Sequence, residues 1–255
     1  MSAEQVVSDS LDSLARRRGD YGFDAPYVPI ILAAIGLIFA AIGILTLLTG
    51  DVVAAVVFLL YAVLMLLISA CYVYTTRVGK FQVWAMILSQ LGLRGDEQVL
   101  DMGCGRGAVL LMVAQLLPQG KAVGVDLWRS VDQSGNALAI TEQNAEREGV
   151  ADRVELHTGD IRKLPFADNS FDLVLSSLAI HNIHEKAGRD AAIDEAIRVV
   201  KPGGRIVIAD INRAKQYEQR LRERGMLDVT LRGLGWRFWY GGPWVATRLV
   251  TARKP

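Results

Sequence analysis

The chain has 255 residues, enough for one large domain or for a domain with an appendage. Its 28 basic and 27 acidic residues leave a net charge of +1, which gives no support to nucleic-acid binding driven by bulk charge. Only two cysteines are present, Cys71 and Cys104, so neither a disulfide framework nor a C-x-x-C metal knuckle can be built, and no metal site is expected.

Hydrophobic residues make up 51% of the chain and the mean hydropathy is +0.27. The excess is concentrated in one place. Residues 1–24 are polar and charged, with the run Arg16-Arg17-Arg18 and a short helix expected around Val6–Arg18. No charged residue then occurs from Ala25 to Gly50, nor from Val52 to Thr76. Each stretch exceeds the ~20 residues that a helix needs to cross ~30 Å of hydrocarbon. Thr49-Gly50-Asp51 between them is a polar, turn-forming break. The pattern predicts a transmembrane helical hairpin over residues 25–76. A cleaved signal peptide has a shorter apolar region and no second run after it. A soluble core helix is rarely uncharged on every face over this length.

Arg16 to Arg18 precede the first span, and Arg77 and Lys80 follow the second. By the positive-inside rule both termini are expected in the cytoplasm, making this an integral membrane protein with two spans whose larger part faces the cytoplasm. Unpaired cysteines agree with that compartment. Arg77 and Lys80 are expected beside membrane lipid headgroups. No proline separates the second span from the next helix, so the two are expected to run on through Arg77–Lys80, with Gly79 as the weak point. Gly36 and Gly43 offer small surfaces through which the hairpin would support a homo-oligomer, although their spacing is not G-x-x-x-G.

Residues 77–255 have the pattern of a soluble α/β domain. Helices are expected over Phe81–Leu93, Ala108–Leu117, Ala137–Glu148 (closed by Gly149), Ala191–Val200 (stopped by Lys201-Pro202-Gly203-Gly204) and Ala214–Arg224 (capped by Gly225). Strands are expected over Gln98–Met102, Ala122–Leu127, Arg153–His157, Phe171–Ser176, Arg205–Ile211, Val229–Leu231 and Val245–Thr251. Alternating strands and helices imply a mostly parallel, doubly wound sheet.

The most informative stretch is Val99-Leu100-Asp101-Met102-Gly103-Cys104-Gly105-Arg106-Gly107, a strand running into a glycine turn ahead of a helix. Glycines there let the backbone turn tightly and approach a ligand. The spacing is G-x-G-x-G, not the G-x-G-x-x-G of dinucleotide-binding enzymes. Asp101 would repel a pyrophosphate but suits a cationic amino group, which counts against a nicotinamide oxidoreductase. Asp126 ends the next strand and can accept hydrogen bonds from ribose hydroxyls. Asp160, in Gly159-Asp160-Ile161, can accept from an exocyclic adenine amine, with Leu127 and Ile161 placed to sandwich the base. Three acidic residues at the carboxyl ends of successive strands mark the edge where open α/β sheets bind ligands.

These residues resemble the class I S-adenosylmethionine-dependent methyltransferases. The match continues through Gly124-Val125-Asp126, Leu164-Pro165-Phe166, Phe171-Asp172 and Lys201-Pro202-Gly203-Gly204-Arg205, and covers roughly residues 81–255. The stretch from Trp128 through Asn136 is similar to a bacterial subgroup. The resemblance implies a Rossmann-like, doubly wound seven-stranded sheet whose last strand is antiparallel. It also implies S-adenosylmethionine as cofactor, S-adenosylhomocysteine as product, and a cofactor site drawn from Asp101, Gly103, Cys104, Gly105, Gly107, Asp126, Leu127, Asp160, Ile161 and Ser176. Within it, Gly103 and Gly105 face the aminocarboxypropyl tail, with Ser176 near it.

Methyl transfer needs chiefly alignment and exclusion of water, and a general base only where the acceptor's pKa demands one. His181, in the loop after the fourth strand, is the candidate base, with structural packing as the alternative. His184 is a weaker candidate, and His157 is expected to be structural. The segment Trp236–Trp244 is dense in aromatics and would serve core packing, an acceptor wall or the bilayer interface. The expected activity is methylation of a small-molecule or lipid-like acceptor. The rival is a non-catalytic scaffold or sensor that binds the cofactor in the membrane.

Overall fold

The computed structural model describes residues 11–129 and 133–255. Of the expected N-terminal helix, residues 11–15 are helical, and its beginning lies outside the described residues, as do residues 130–132.

Two apolar helices come first, α1 (Tyr27–Leu48) and α2 (Val52–Tyr74). At ~1.5 Å per residue each is longer than the ~30 Å of a hydrocarbon core. Both are long and apolar enough to cross a membrane. Asp51 starts α2, its carboxylate accepting from the Ala54 amide at 3.0 Å. The helices meet through small residues. Gly36 faces Leu66, Gly43 faces Leu59, and Ala55 and Ala62 are buried in the seam. The outward faces stay apolar and bare, with Leu48 80% and Val53 77% exposed. A core helix of a soluble domain would bury such side chains.

The second helix does not stop at Tyr74. One π-helical turn (Thr75–Gly79) carries it into α3 (Lys80–Gln90), so a single helix runs from Val52 to Gln90. Gly79 is a contact point within it. A methyl group there would lie 1.9 Å from the Arg237 carbonyl oxygen.

The rest is β1 (Gln98–Met102), α4 (Leu110–Gln115), β2 (Lys121–Asp126), α5 (Leu138–Glu148), β3 (Val154–Thr158), β4 (Phe171–Ser177), α6 (Lys186–Val199), β5 (Val200–Asp210), α7 (Ala214–Glu223), β6 (Leu227–Gly233) and β7 (Arg248–Arg253). The strands form one sheet in the order β3-β2-β1-β4-β5-β7-β6. β1 to β5 pair in parallel, and β7 pairs antiparallel with both β5 and β6. Alternate strand residues feed opposite faces, as a period of two requires. Val99 and Leu173 join a core with α3 and α4, whereas Leu100 and Val174 join one with α6 and α7.

Three expected boundaries are corrected. The helix placed at Ala191–Val200 begins at Lys186 and ends at Val199. Lys201-Pro202-Gly203-Gly204, expected as a loop, belongs to β5, because Val200 already pairs with Phe171 and the extra residues form a bulge. The last two strands are longer or later than expected, because the aromatic segment between them folds into two short 3-10 turns, Trp236–Phe238 and Pro243–Val245.

Residues 17–24 are strapped across α5. Glu148 Oε1 accepts from the Arg18 and Gly19 amides and from the Tyr21 hydroxyl, and Asn144 Oδ1 accepts from the Asp20 amide.

Candidate cofactor and acceptor site

The carboxyl ends of β1, β2, β4 and β5 converge on one edge. Non-glycine residues in the left-handed region follow three of them: Trp128 (φ 56°), Leu178 (φ 56°) and Asn212 (φ 62°). Such conformations are costly and gather at functional edges.

The glycine loop leaves β1 at Gly103, whose φ of 76° favours glycine and whose missing side chain matters, since a Cβ there would sit 2.2 Å from the Ala179 Cβ. The Gly103 amide donates to the Val125 carbonyl at 2.7 Å, tying the loop to β2. Gly105 (φ 50°) donates its amide to Asp126 Oδ2 at 2.8 Å. The other oxygen of Asp126 accepts from the Trp128 amide at 2.6 Å and from Asn136 Nδ2 at 3.3 Å. Asp126 therefore organises the glycine loop and the loop after β2 at once. Gly107 closes the turn, with its amide on the Cys104 carbonyl at 2.9 Å.

Asp101 is 1% exposed, and its Oδ1 has no hydrogen-bond partner. Burial, with the charge of Asp126 behind it, pushes its carboxyl up to about 7. Cys104 packs under the loop, where a methyl group on Gly124 would lie 2.7 Å from its sulfur. Burial, Asp101 and Asp126 hold its thiol well above the usual range.

The remaining expected residues are distributed unevenly. Ser176 is buried and spends its hydroxyl on the Met102 carbonyl at 2.9 Å, between β4 and β1. Asp160 is clasped by Arg162, which donates to both carboxylate oxygens at 2.6–3.0 Å. That contact lowers its pKa. Ile161 is buried in the second core, and Leu127 is half exposed. Trp128 Nε1 donates to Thr158 Oγ1 at 2.8 Å and so links the loops after β2 and β3.

His181 lies on the turn Ile180–Asn182 after β4. Its Nδ1 meets Asp210 Oδ1 at 2.5 Å, and its backbone amide donates to Asp210 Oδ2 at 3.0 Å. Asp210 is 1% exposed and also accepts from the Tyr217 hydroxyl at 3.1 Å and the Ile211 amide at 2.8 Å. A carboxylate on Nδ1 fixes the imidazole tautomer and places its basic lone pair on Nε2. Sequence reasoning missed Asp210 and Tyr217. The available signal was a lone acidic residue at the end of an apolar strand. His184 is exposed, and His157 pairs with Glu155 at 2.6 Å in β3.

Sequence reasoning also missed Trp84 and Gln133. Trp84, on α3 and 1% exposed, donates its indole N–H to Ser177 Oγ at 2.9 Å, at the end of β4. Gln133 Oε1 accepts from the Arg106 amide in the glycine loop, and its Nε2 donates to the Tyr21 carbonyl and to Asp24. Asp24 in turn takes Lys80 Nζ at 2.8 Å and the Tyr240 hydroxyl at 2.8 Å, and its carbonyl accepts from the Tyr72 hydroxyl at 2.9 Å. Lys80, expected beside lipid headgroups, is instead buried in this ion pair. The aromatic segment divides. Phe238 and Tyr240 are buried, whereas Trp236 is exposed and stacks on Tyr74 with ring centroids 5.3 Å apart.

The family model for the methyltransferase domain matches residues 93–228, just over half of the chain. The demethylmenaquinone methyltransferase of Lactiplantibacillus plantarum is 35% identical over 141 residues, 54% of this chain and 56% of that protein. The ubiquinone/menaquinone biosynthesis C-methyltransferase UbiE of Pseudomonas putida is 32% identical over 137 residues, 53% of this chain and 50% of that one. The chain thus spans about half the length of these curated relatives. In fold it is similar to the geranyl diphosphate C-methyltransferase of Streptomyces coelicolor A3(2), solved with S-adenosyl-L-homocysteine. The TM-score is 0.55 at 16% identity, covering 70% of this chain and 80% of that one.

Proposed function

Because this chain belongs to the methyltransferase domain family, we propose that it transfers the methyl group of S-adenosylmethionine to a lipophilic acceptor, such as a quinone precursor, held in a membrane by the α1–α2 hairpin. The observation that carries the acceptor class is the unbroken helix from Val52 to Gln90. It puts Trp84 against Ser177 only seven residues past Arg77, the first charged residue after the apolar run. At ~1.5 Å per residue that is about 10 Å along the helix. The edge of the site therefore sits one headgroup layer from the hydrocarbon. With positive charge at both flanks, the domain and both termini face the cytoplasm.

The residues present fit the cofactor. Asp101 offers a buried carboxylate oxygen with no partner beside the glycine cradle, suited to an ammonium group. Asp126 lies where a ribose would be read, once it shares its hydrogen bonds with Gly105 and Trp128. Leu127 and Ile161 flank the place for the base, and Asp160 reaches its amine by exchanging part of its Arg162 contact. The bound cofactor supplies an electrophilic methyl on a sulfonium. The chain's own work is to hold the acceptor in line, exclude water and take a proton. His181 Nε2 receives the acceptor's hydroxyl proton, which raises electron density at the atom that takes the methyl. Asp210 is the positioning residue that holds the ring and stabilises the imidazolium.

Full-length protein in nanodiscs should bind S-adenosylmethionine in calorimetry, and Asp126→Ala should abolish binding. With labelled cofactor and a membrane-lipid extract, label should enter an organic-extractable product. His181→Ala should lower kcat by about 10²-fold or more. Asp210→Asn should shift the acid limb of the pH–rate profile with KM unchanged. Label found only in a water-soluble acceptor, turned over at full rate, would sink the lipophilic reading. Cofactor binding with no labelled acceptor in any pool would favour a cofactor-binding scaffold.

A further inference from the structure

Beside the place where the helix leaves the apolar hairpin there is a recess of about 180 Å³ that the methyl-transfer site does not use. It lies between the N-terminal strap and the π-helical turn. Arg17, Asp20, Tyr21, Thr76, Arg77 and Phe81 line it. Two of these side chains carry buried polar atoms with no hydrogen-bond partner, Arg17 Nη1 and Thr76 Oγ1. Both are unusual. Leaving a buried polar atom unpaired costs roughly 1–3 kcal/mol, and a helical threonine ordinarily returns its hydroxyl to a carbonyl one turn back. The π-helical turn that displaces Thr76 is itself a feature concentrated at functional sites.

The charges in and behind the recess favour an anion. The Arg17 side chain is 6% exposed, and its nearest counter-charge, Glu148 Oε2, stands 3.8 Å away. Glu148 Oε1 is already engaged by the Arg18 and Gly19 amides and the Tyr21 hydroxyl. Asp20 accepts from the Gly22 amide and pairs with Arg106 at 2.9 Å, and these contacts, with the charge of Arg77 nearby, hold its carboxyl below the usual range. Arg77 is exposed and lies over the Phe23 ring at 5.1 Å, which steadies its guanidinium. Arg17 spends its Nε and Nη2 on the Arg16 and Leu14 carbonyls and on Gln115, which leaves Nη1. With the Arg77 guanidinium and the Thr76 hydroxyl it makes a donor set that phosphate oxygens take. The volume is below the roughly 300 Å³ of pockets that enclose a drug-sized ligand, so it suits a headgroup and not a chain.

We propose that this recess binds the phosphate of an anionic phospholipid headgroup. The assignment rests on the membrane seating argued above but not on methyl transfer. Thr76 ends the uncharged run and Arg77 directly follows it, at the depth where lipid phosphates lie. A bound phosphate would satisfy Arg17 and Thr76 and pull the strap and the helix together.

The test uses the full chain in detergent, titrated with short-chain phosphatidylglycerol and read by native mass spectrometry. Phosphatidylcholine is the zwitterionic control, and inorganic phosphate is the arm without acyl chains. One phosphatidylglycerol should be retained in preference to phosphatidylcholine. Arg77→Gln and Thr76→Val, both mild changes, should each weaken it about ten-fold, and Arg17→Gln further if that variant folds. Arg16→Gln, an exposed neighbour outside the recess, should not weaken it. Millimolar inorganic phosphate that displaces the lipid supports the site and assigns its chemistry to the phosphate. Equal retention of the two lipids, or unchanged retention in both Arg77→Gln and Thr76→Val, overturns it. Cofactor binding measured on the same samples separates this outcome from failure of the methyltransferase reading.

Discussion

Asp101 is kept close to neutrality by its surroundings, and this has a thermodynamic sign. Its folded pKa, about 7, lies above the ordinary 3.8. Between those values the unfolded chain releases a proton that the folded chain keeps, so this group makes the free protein less stable as pH rises from about 4 to 7. A cationic group bound beside it would reverse the preference. Cofactor binding at pH 6 should therefore release a proton, seen as a buffer-dependent calorimetric enthalpy. Asp101→Asn should abolish that dependence and flatten the acid-side stability profile of the free protein. A binding enthalpy identical in all buffers for the wild type would refute the assignment. At this scale the sequence was informative where backbone chemistry decides. The turn through Gly103 and Gly105 and the strand end at Asp126 were legible because each leaves a local pattern. The Asp210 partner of His181 was not, because the two meet only through the pairing of β4 with β5. The role of Ser176 as a link between strands was not legible, since its bond to Met102 depends on sheet order.

Among the elements, the junction between hairpin and domain is the most constrained. Thr75 Oγ1 donates to the Trp239 carbonyl at 2.6 Å, Gly79 lies under the Arg237 carbonyl, and Gly241 packs against Ile68. Gly79→Ala should thus lower stability by about 1–3 kcal/mol, the usual range for overpacking. It should read as a lower melting temperature in detergent, with cofactor affinity in the surviving folded protein close to normal. A variant as stable as wild type would mean that the contact yields easily. The continuous helix could be expected from the lack of proline. The role of Gly79 as a contact could not, because its partner lies more than 150 residues away in sequence. The Lys201-Pro202-Gly203-Gly204 segment misled for a related reason. Turn-forming composition is a local signal, and here the pairing of Val200 with Phe171 and of the Gly203 amide with the Lys254 carbonyl draws it into the sheet.

For the whole molecule, the hairpin meets the domain through the Tyr72–Tyr240 ring contact, and a buried ion pair of Lys80 with Asp24 ties the N-terminal strap to the same junction. Folding of the hairpin and folding of the domain are accordingly coupled. A cysteine introduced at Gly50 should be labelled only from the side opposite the termini, and alkaline carbonate should leave the protein in the membrane pellet. Labelling of Gly50→Cys from the side that carries the termini would refute the two-span topology. The uninterrupted helix also sets the kinetics that such a protein would show. A domain held at one height and one tilt searches a plane, so the concentration it experiences is the mole fraction of acceptor among lipids. Adding inert lipid at constant acceptor and protein per volume would slow it, while concentrating the whole suspension would leave each molecule's turnover unchanged.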